Sequence, residues 1–279
     1  MCSSDLRWIG HKAAVQNLAD VAAMGARPVA LVAALSAPAS TPASTFEQLT
    51  IGLAHRAEAD GARVVGGDLG RAPQLTVTVT AVGALEEDRP AVLRSGARPG
   101  DILAIGADRL GRSAAGLALV LSGRVLVDDS DPARPDVQLE KSRDPAAGEL
   151  VAWHNAPDPE LSLGWTAGRS AHAMMDLSDG LVRDGGRMAA ASQVAVDLDE
   201  QALAPDAHAL APLAAELGAD PWQWVLHGAE EHAMLAAFAP GQVPPGFRVI
   251  GRLRARQTGD TAVTLDGQTI PGAGFDHFS

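Results

Sequence analysis

Cysteine, lysine and long apolar runs are what this chain has least of. Its one cysteine, Cys2, stands at the terminus, so neither a disulfide framework nor a cysteine-rich zinc site is available, which suits a reducing compartment. No segment approaches the roughly 20 uninterrupted apolar residues of a membrane helix, and the N-terminus has no basic-then-apolar export pattern. These absences predict a cytoplasmic protein that does not enter a membrane. Lys12 and Lys141 are the only lysines, so cationic contacts must come almost entirely from arginine, whose planar fork clamps phosphate in bidentate fashion. The formal net charge of −12 argues against nucleic acid or anionic membrane as a partner, because their phosphates reward the opposite sign. An acidic chain can still handle a phosphate ester where its carboxylates hold divalent cations that meet the phosphate oxygens.

Missing motifs narrow the chemistry further. The glycine-rich run from Gly61 to Gly67 lacks the lysine of G-x-x-x-x-G-K-[ST], and no protein-kinase signature is present, so a P-loop NTPase is excluded. There is no H-E-x-x-H, and Glu230-Glu231-His232 has no second ligand nearby, so an oxygen-bound magnesium ion is preferred to zinc.

What is present is a chain of 279 residues, 47% hydrophobic, enough for one large or two ordinary domains. Helical spacing of Val15, Leu18, Val21 and Ala22 predicts a helix from His11 to about Met24, stopped by Gly25 and Pro28. Val29 to Leu35 reads as a buried strand, Ser36 to Thr45 as a loop, and Phe46 to Ala59 as a second helix. Leu75 to Val82 is rich in the β-branched residues that suit a pleated strand. Glu86 to Pro90 reads as a linker, giving domains 1–86 and 87–279. A strand from Ile102, a helix from Gly111 to Leu121, a strand from Ala171 into a helix ending near Ser192, and a helix and strand around His227 to Phe238 follow. Val127 to Ala147 reads as exposed loop or broken helix. Alternating helices and strands predict an α/β or α+β class.

Three segments can carry chemistry. Asp176-Leu177-Ser178-Asp179-Gly180 sets two carboxylates about a hydroxyl at a strand-to-helix turn, where they can reach one cavity and hold Mg²⁺; equally, Ser178 or Asp179 can simply cap the helix. Gly66-Gly67-Asp68 follows an apolar run and can bring backbone close to phosphate, or can be an ordinary turn. Asp20, beside Asn17 in the first helix, can carry chemistry or be part of a solvated face.

In their order and spacing these segments resemble the thiamine-monophosphate kinase family from His11 to Phe278. Residues 17–26, NLADVAAMGA, resemble N-L-S-D-x-A-A-M-G-A, with Ala19 for serine; 66–68 resemble G-G-D; 94–101, RSGARPGD, resemble R-S-G-A-x-P-G-D. Residues 176–180 resemble D-[IL]-S-D-G, 228–232 resemble G-G-E-D-[YH], and the close at 274–278 resembles the family's ending. The resemblance implies the aminoimidazole-ribonucleotide-synthetase-like (PurM-like) two-domain fold, ATP-dependent phosphorylation of thiamine monophosphate with several Mg²⁺ ions, and a homodimer joined through the N-terminal sheet. It implies metal contacts for Asp20, Asp68, Asp176 and Asp179, ATP contacts for Gly67, Asp68, Arg94 and Ser178, and substrate contacts for Glu230 and Phe275.

Three departures accompany it. The family carries an upstream stretch with G-D-D-A and T-D-x-L-V-x-x-x-H-F that supplies further metal ligands and a substrate histidine, and Met1 to Leu6 matches none of it, which makes a catalytically impaired remnant the principal rival reading. Ala229-Glu230-Glu231 stands for Gly-Glu-Asp, adding bulk at a backbone-sensitive point. Asp184-Gly185-Gly186-Arg187 stands for D-L-G-H, placing an extra glycine in a helix at about 1 kcal/mol. A sibling ATP-dependent enzyme of this fold, such as selenophosphate synthetase or a hydrogenase-maturation protein, is disfavoured by the first helix motif and the Gly-Phe-Asp-His-Phe close.

Overall fold

A computed structural model describes residues 6–86, 89–128, 136–139, 146–259 and 261–271. The first unit runs α1 (Leu6–Ala23), β1 (Arg27–Ala37), α2 (Ala43–Ala59), β2 (Arg63–Arg71) and β3 (Thr76–Ala84). Its three strands form one sheet in the order β2-β1-β3, with β1 parallel to β2 and antiparallel to β3.

After residue 100 come β4 (Ile102–Gly106), α3 (Arg112–Leu121), β5 (Val125–Asp128), β6 (Asp136–Leu139), α4 (Ala147–Asn155) and α5 (Ser162–Ala167). They are followed by β7 (Ala171–Asp176), α6 (Leu181–Ser192), β8 (Val194–Leu198), α7 (Glu200–Leu217), α8 (Pro221–His227), β9 (Met234–Phe238), β10 (Arg248–Ala255), β11 (Val263–Leu265) and β12 (Gln268–Thr269). Seven of these strands make a second sheet, ordered β12-β11-β8-β10-β4-β9-β7, in which only the β8–β11 pair is parallel.

Strands β4, β9 and β7, at one end of that sheet, are apolar on both faces because both faces are covered. On one face Leu103, Ile105, Met175, Leu235 and Ala237 pack with Leu119, Met188, Leu203, Leu213 and Val225 from the helices behind. Residues of opposite parity, Ala104, Met174, Met234, Ala236 and Phe238, join Leu18 and Ala22 of α1, Leu31 of β1 and Leu53 of α2. Side chains alternate along a strand, so each strand serves two cores and shows no polar alternation. The first helix is thereby laid across the second sheet, bringing its C-terminal end toward the end of β7.

Two expectations are corrected. Gly66-Gly67-Asp68 is not a turn: it lies within β2, just past a bulge where Val32 pairs with Gly66 after Leu31 pairs with Val64. Within Val127 to Ala147 the described residues hold the antiparallel β5–β6 pair rather than loop or broken helix, and 129–135 and 140–145 lie outside the described residues.

Candidate active site

Backbone hydrogen bonds draw two of the motifs together. Ser178 O accepts from Glu230 N at 2.8 Å, Leu177 O accepts from His232 N at 2.8 Å, and Leu177 N donates to Ala233 O at 2.9 Å. The turn between β7 and α6 is thus laced to the segment entering β9. The lacing forces Glu230 and His232 into positive φ, 63° and 53°, a region non-glycine residues enter only when their surroundings compel it. Gly180 has φ 107°, and a Cβ there would stand 2.7 Å from His227 O, so only glycine fits.

Neither Ser178 nor Asp179 caps α6; its N-cap is Gly180, with no side-chain cap bond. The turn is held instead by Asp184, fully buried in the first turn of that helix. One of its oxygens accepts from Ser178 N at 2.9 Å and Asp179 N at 2.8 Å, and the other accepts from Arg187 Nη1 at 2.8 Å. Burial raises the Asp184 carboxyl to about 6, against the pull of these donors. Arg187 also forms an ion pair with Asp179.

Asp176 closes β7, 6% exposed, and its Oδ2 accepts from His232 Nδ1 at 3.1 Å; His232 Nε2 is buried with no hydrogen-bond partner among the described residues. Asp20 arrives from α1. The residue is exposed at its edge, yet its carboxyl is raised by partial desolvation first and by the negative charge of Asp176 second, while His232 and Arg94 pull it the other way. Asp20, Asp176, His232 and Arg94 therefore share one electrostatic neighbourhood.

Glu230 faces a different cluster. Lys12 Nζ donates to Glu230 Oε2 at 2.8 Å and to His154 O at 3.0 Å, joining α1, α4 and the Glu230 segment. His154 Nδ1 lies 3.1 Å from Ser113 Oγ. Burial, then the Lys12 charge, lower the His154 imidazole to about 4, so it is neutral at pH 7. Glu231 is buried but partnered, accepting from Ser113 N at 2.9 Å and Trp153 Nε1 at 3.0 Å; burial raises its carboxyl.

The remaining expected site residues are Gly67, Asp68 and Phe275. Asp68 is exposed on an edge strand, and no hydrogen bond or ion pair joins it to Asp20, Asp176 or Asp179 among the described residues. A Cβ on Gly67 would stand 2.0 Å from Ala33 O, so the freedom of that glycine serves the approach of β1. Phe275 lies outside the described residues. Asp184, Arg187, His232 and Lys12 were not named as site residues from sequence, although His232 closes the segment 228–232 that resembles G-G-E-D-[YH], and Asp184 and Arg187 bound the segment that stands for D-L-G-H; Asp184 also sits in the first turn of α6, a position that favours negative charge.

Among the described residues no three His, Cys, Asp or Glu side chains are gathered closely enough to hold a metal ion. Asp20 and Asp176 nonetheless fit Mg²⁺, which takes one or two carboxylates and completes its shell with water and phosphate oxygens. Their mutual repulsion is what such a cation relieves. Asp179, paired to Arg187, does not offer the same freedom.

Comparison with known proteins agrees with this architecture. The model for "AIR synthase related protein, N-terminal domain" matches residues 1–85. A structure described as AaThiL complexed with AMPPCP and TMP superposes with a TM-score of 0.84 at 28% identity, over 99% of this chain and 82% of that one. Thiamine-monophosphate kinase of Corynebacterium glutamicum is 40% identical over 94% of this chain and 73% of its own length. That of Mycobacterium tuberculosis is 43% identical over 97% of this chain and 74% of its own length. With that identity carried across both sheets and the laced turn between them, the chain belongs to the thiamine-monophosphate kinase family.

Proposed function

We propose that this protein transfers the γ-phosphoryl group of ATP to the phosphate of thiamine monophosphate, yielding thiamine diphosphate and ADP. The observation that carries the reading is the laced pair of motifs: the Asp176–Gly180 turn and the Glu230–Ala233 segment share backbone bonds beneath Asp20, in a chain 43% identical to a thiamine-monophosphate kinase. An acceptor phosphate oxygen would form the new bond to the γ phosphorus as the bond from that phosphorus to the bridging oxygen breaks, with ADP taking the electron pair. Both partners are anions, so the work is charge neutralisation and in-line positioning. The acceptor's second pKa is about 6, by analogy with phosphoserine, so it is largely ionised at neutral pH and needs no strong general base.

Asp20 and Asp176 would hold Mg²⁺, which when bound neutralises phosphate oxygens. Arg94, beside Asp20, and Ser178, on the laced turn, would meet the nucleotide, and so would Gly67 if substrate reaches β2. Glu230 presents a carboxylate suited to the cationic thiazolium ring, with Lys12 fixing its direction. The protein would act in the cytoplasm as a homodimer built from domains 1–86 and 87–279. Exposed Val65 and Leu69, on the edge strand of the first sheet, favour pairing through that sheet.

The test is formation of ADP and thiamine diphosphate by the full chain with Mg²⁺. We expect turnover that EDTA abolishes and that Asp176→Asn lowers at least about 100-fold, the scale of losing a group that stabilises transition-state charge. Equal rates for Asp176→Asn and the unaltered chain would refute the assignment.

A further inference from the structure

Of the three aspartates expected to meet metal around the laced turn, Asp20, Asp176 and Asp179, only Asp179 ends on an arginine or lysine among the described residues. Arg187 lies three residues beyond Asp184, on the same face of α6. Its Nη1 serves both carboxylates, at 2.8 Å from Asp184 Oδ1 and in an ion pair with Asp179. Asp184 holds the amides of Ser178 and Asp179 through its other oxygen. The guanidinium is thus tied into the same network that shapes the turn, and side-chain exposure is small for Asp179, 13%, and nil for Asp184. A guanidinium keeps its charge at any pH the fold survives, so it cannot step aside by losing a proton. No Arg or Lys ion pair reaches Asp20 or Asp176 among the described residues; Asp176 has only the imidazole of His232.

We propose that Arg187 occupies the place of a divalent cation at Asp179, so that Asp179 enters the site as half of a permanent ion pair while metal uptake falls to Asp20 and Asp176. A dication approaching Asp179 must break that pair and then sit beside the displaced guanidinium, whereas at Asp20 and Asp176 no arginine or lysine ion pair among the described residues has to be broken. Arg187 is in this sense a positioning residue: it holds the Asp179 carboxylate toward α6 and limits how many metal ions the turn can take. The inference rests on the phosphotransfer reading above for its purpose, but its test does not use turnover.

Mn²⁺ is the probe, added to the full chain without nucleotide, with the free ion counted from its electron paramagnetic resonance signal and each variant checked by thermal melting. Asp179→Asn in the otherwise unaltered chain should bind the same number of Mn²⁺ ions with the same affinity as the parent. Arg187→Gln should gain an additional ion, or tighten one by about tenfold, the effect of removing one nearby like charge. Adding Asp179→Asn to Arg187→Gln should abolish that gain, and Arg187→Lys should behave as the parent. Loss of a bound ion in Asp179→Asn with Arg187 intact would overturn the proposal, as would an Arg187→Gln protein that gains nothing. Should Arg187→Gln fail to fold, the Asp179→Asn count decides alone. Absence of kinase turnover, with these metal counts as stated, would instead refute only the proposed reaction.

Discussion

At the scale of single residues, the site is set by groups whose chemistry is decided by their neighbours. His154 is the clearest. Its imidazole is lowered from an ordinary value of 6.5 to about 4, by burial and then by Lys12. A histidine with a depressed folded pKa contributes stability that is complete above 6.5 and is lost as pH falls through about 4. Imidazole ¹⁵N spectra should therefore show neutral His154 down to about pH 5, and in Lys12→Met its pKa should move up, because Lys12 is one of the charges holding it down. A His154 that titrates normally near 6.5 in the unaltered protein would contradict this account. Gly180 makes a steric counterpart. Gly180→Ala requires a φ of 107° and a Cβ pressed on His227 O, so urea unfolding should show a loss of at least about 1–3 kcal/mol, the cost of holding a non-glycine residue in that region.

Elements carry these residues into place, and at this scale the packing of α1 matters most. Leu18, fully buried between the second sheet and α2, lies two residues before Asp20. Leu18→Ala should cost about 2–5 kcal/mol in denaturant unfolding, and it should weaken Mn²⁺ binding in the same protein, since Asp20 depends on where this helix rests. The helix was legible in sequence because its apolar stripe has the right period, and β7, its turn and α6 were legible because the run from Ala171 meets the Asp176–Gly180 turn signal before the twelve residues that follow. Gly66–Asp68 was misread because glycine and aspartate carry local turn chemistry, which pairing with β1 overrides, as tertiary context does in strands generally. The β5–β6 pair hid behind aspartate, arginine and proline, residues that are poor in strands. The hydrogen bonds of Asp184 to the turn and of His232 to Asp176 leave no period in a sequence; they exist only once β9 lies beside β7.

For the whole molecule, the two sheets differ in kind. Strands β4, β9 and β7 of the seven-stranded sheet are covered on both faces, whereas β2 leaves Val65 at 65% and Leu69 at 68% exposure on the three-stranded one. A Val65→Asp, Leu69→Asp double variant should therefore shift the mass measured by light scattering from dimer to monomer at micromolar concentration; an unaltered protein that is already monomeric would rule out the proposed pairing. The strand order of the large sheet has a consequence for how the molecule is made. β9 sits between β4 and β7, but is synthesised after both. Until Glu230 to Phe238 emerge from the ribosome, a growing chain carries two apolar strands with bare edges and a carboxylate turn with nothing to lace it. Translation at about 5–20 residues per second leaves that interval open for seconds. The segment from Glu230 to Phe238, which laces the Asp176–Gly180 turn and fills the gap between β4 and β7, therefore also ends the period in which the nascent chain is most exposed to aggregation, so a ribosome stalled just before it would hold a product with an unlaced turn and adhesive strand edges.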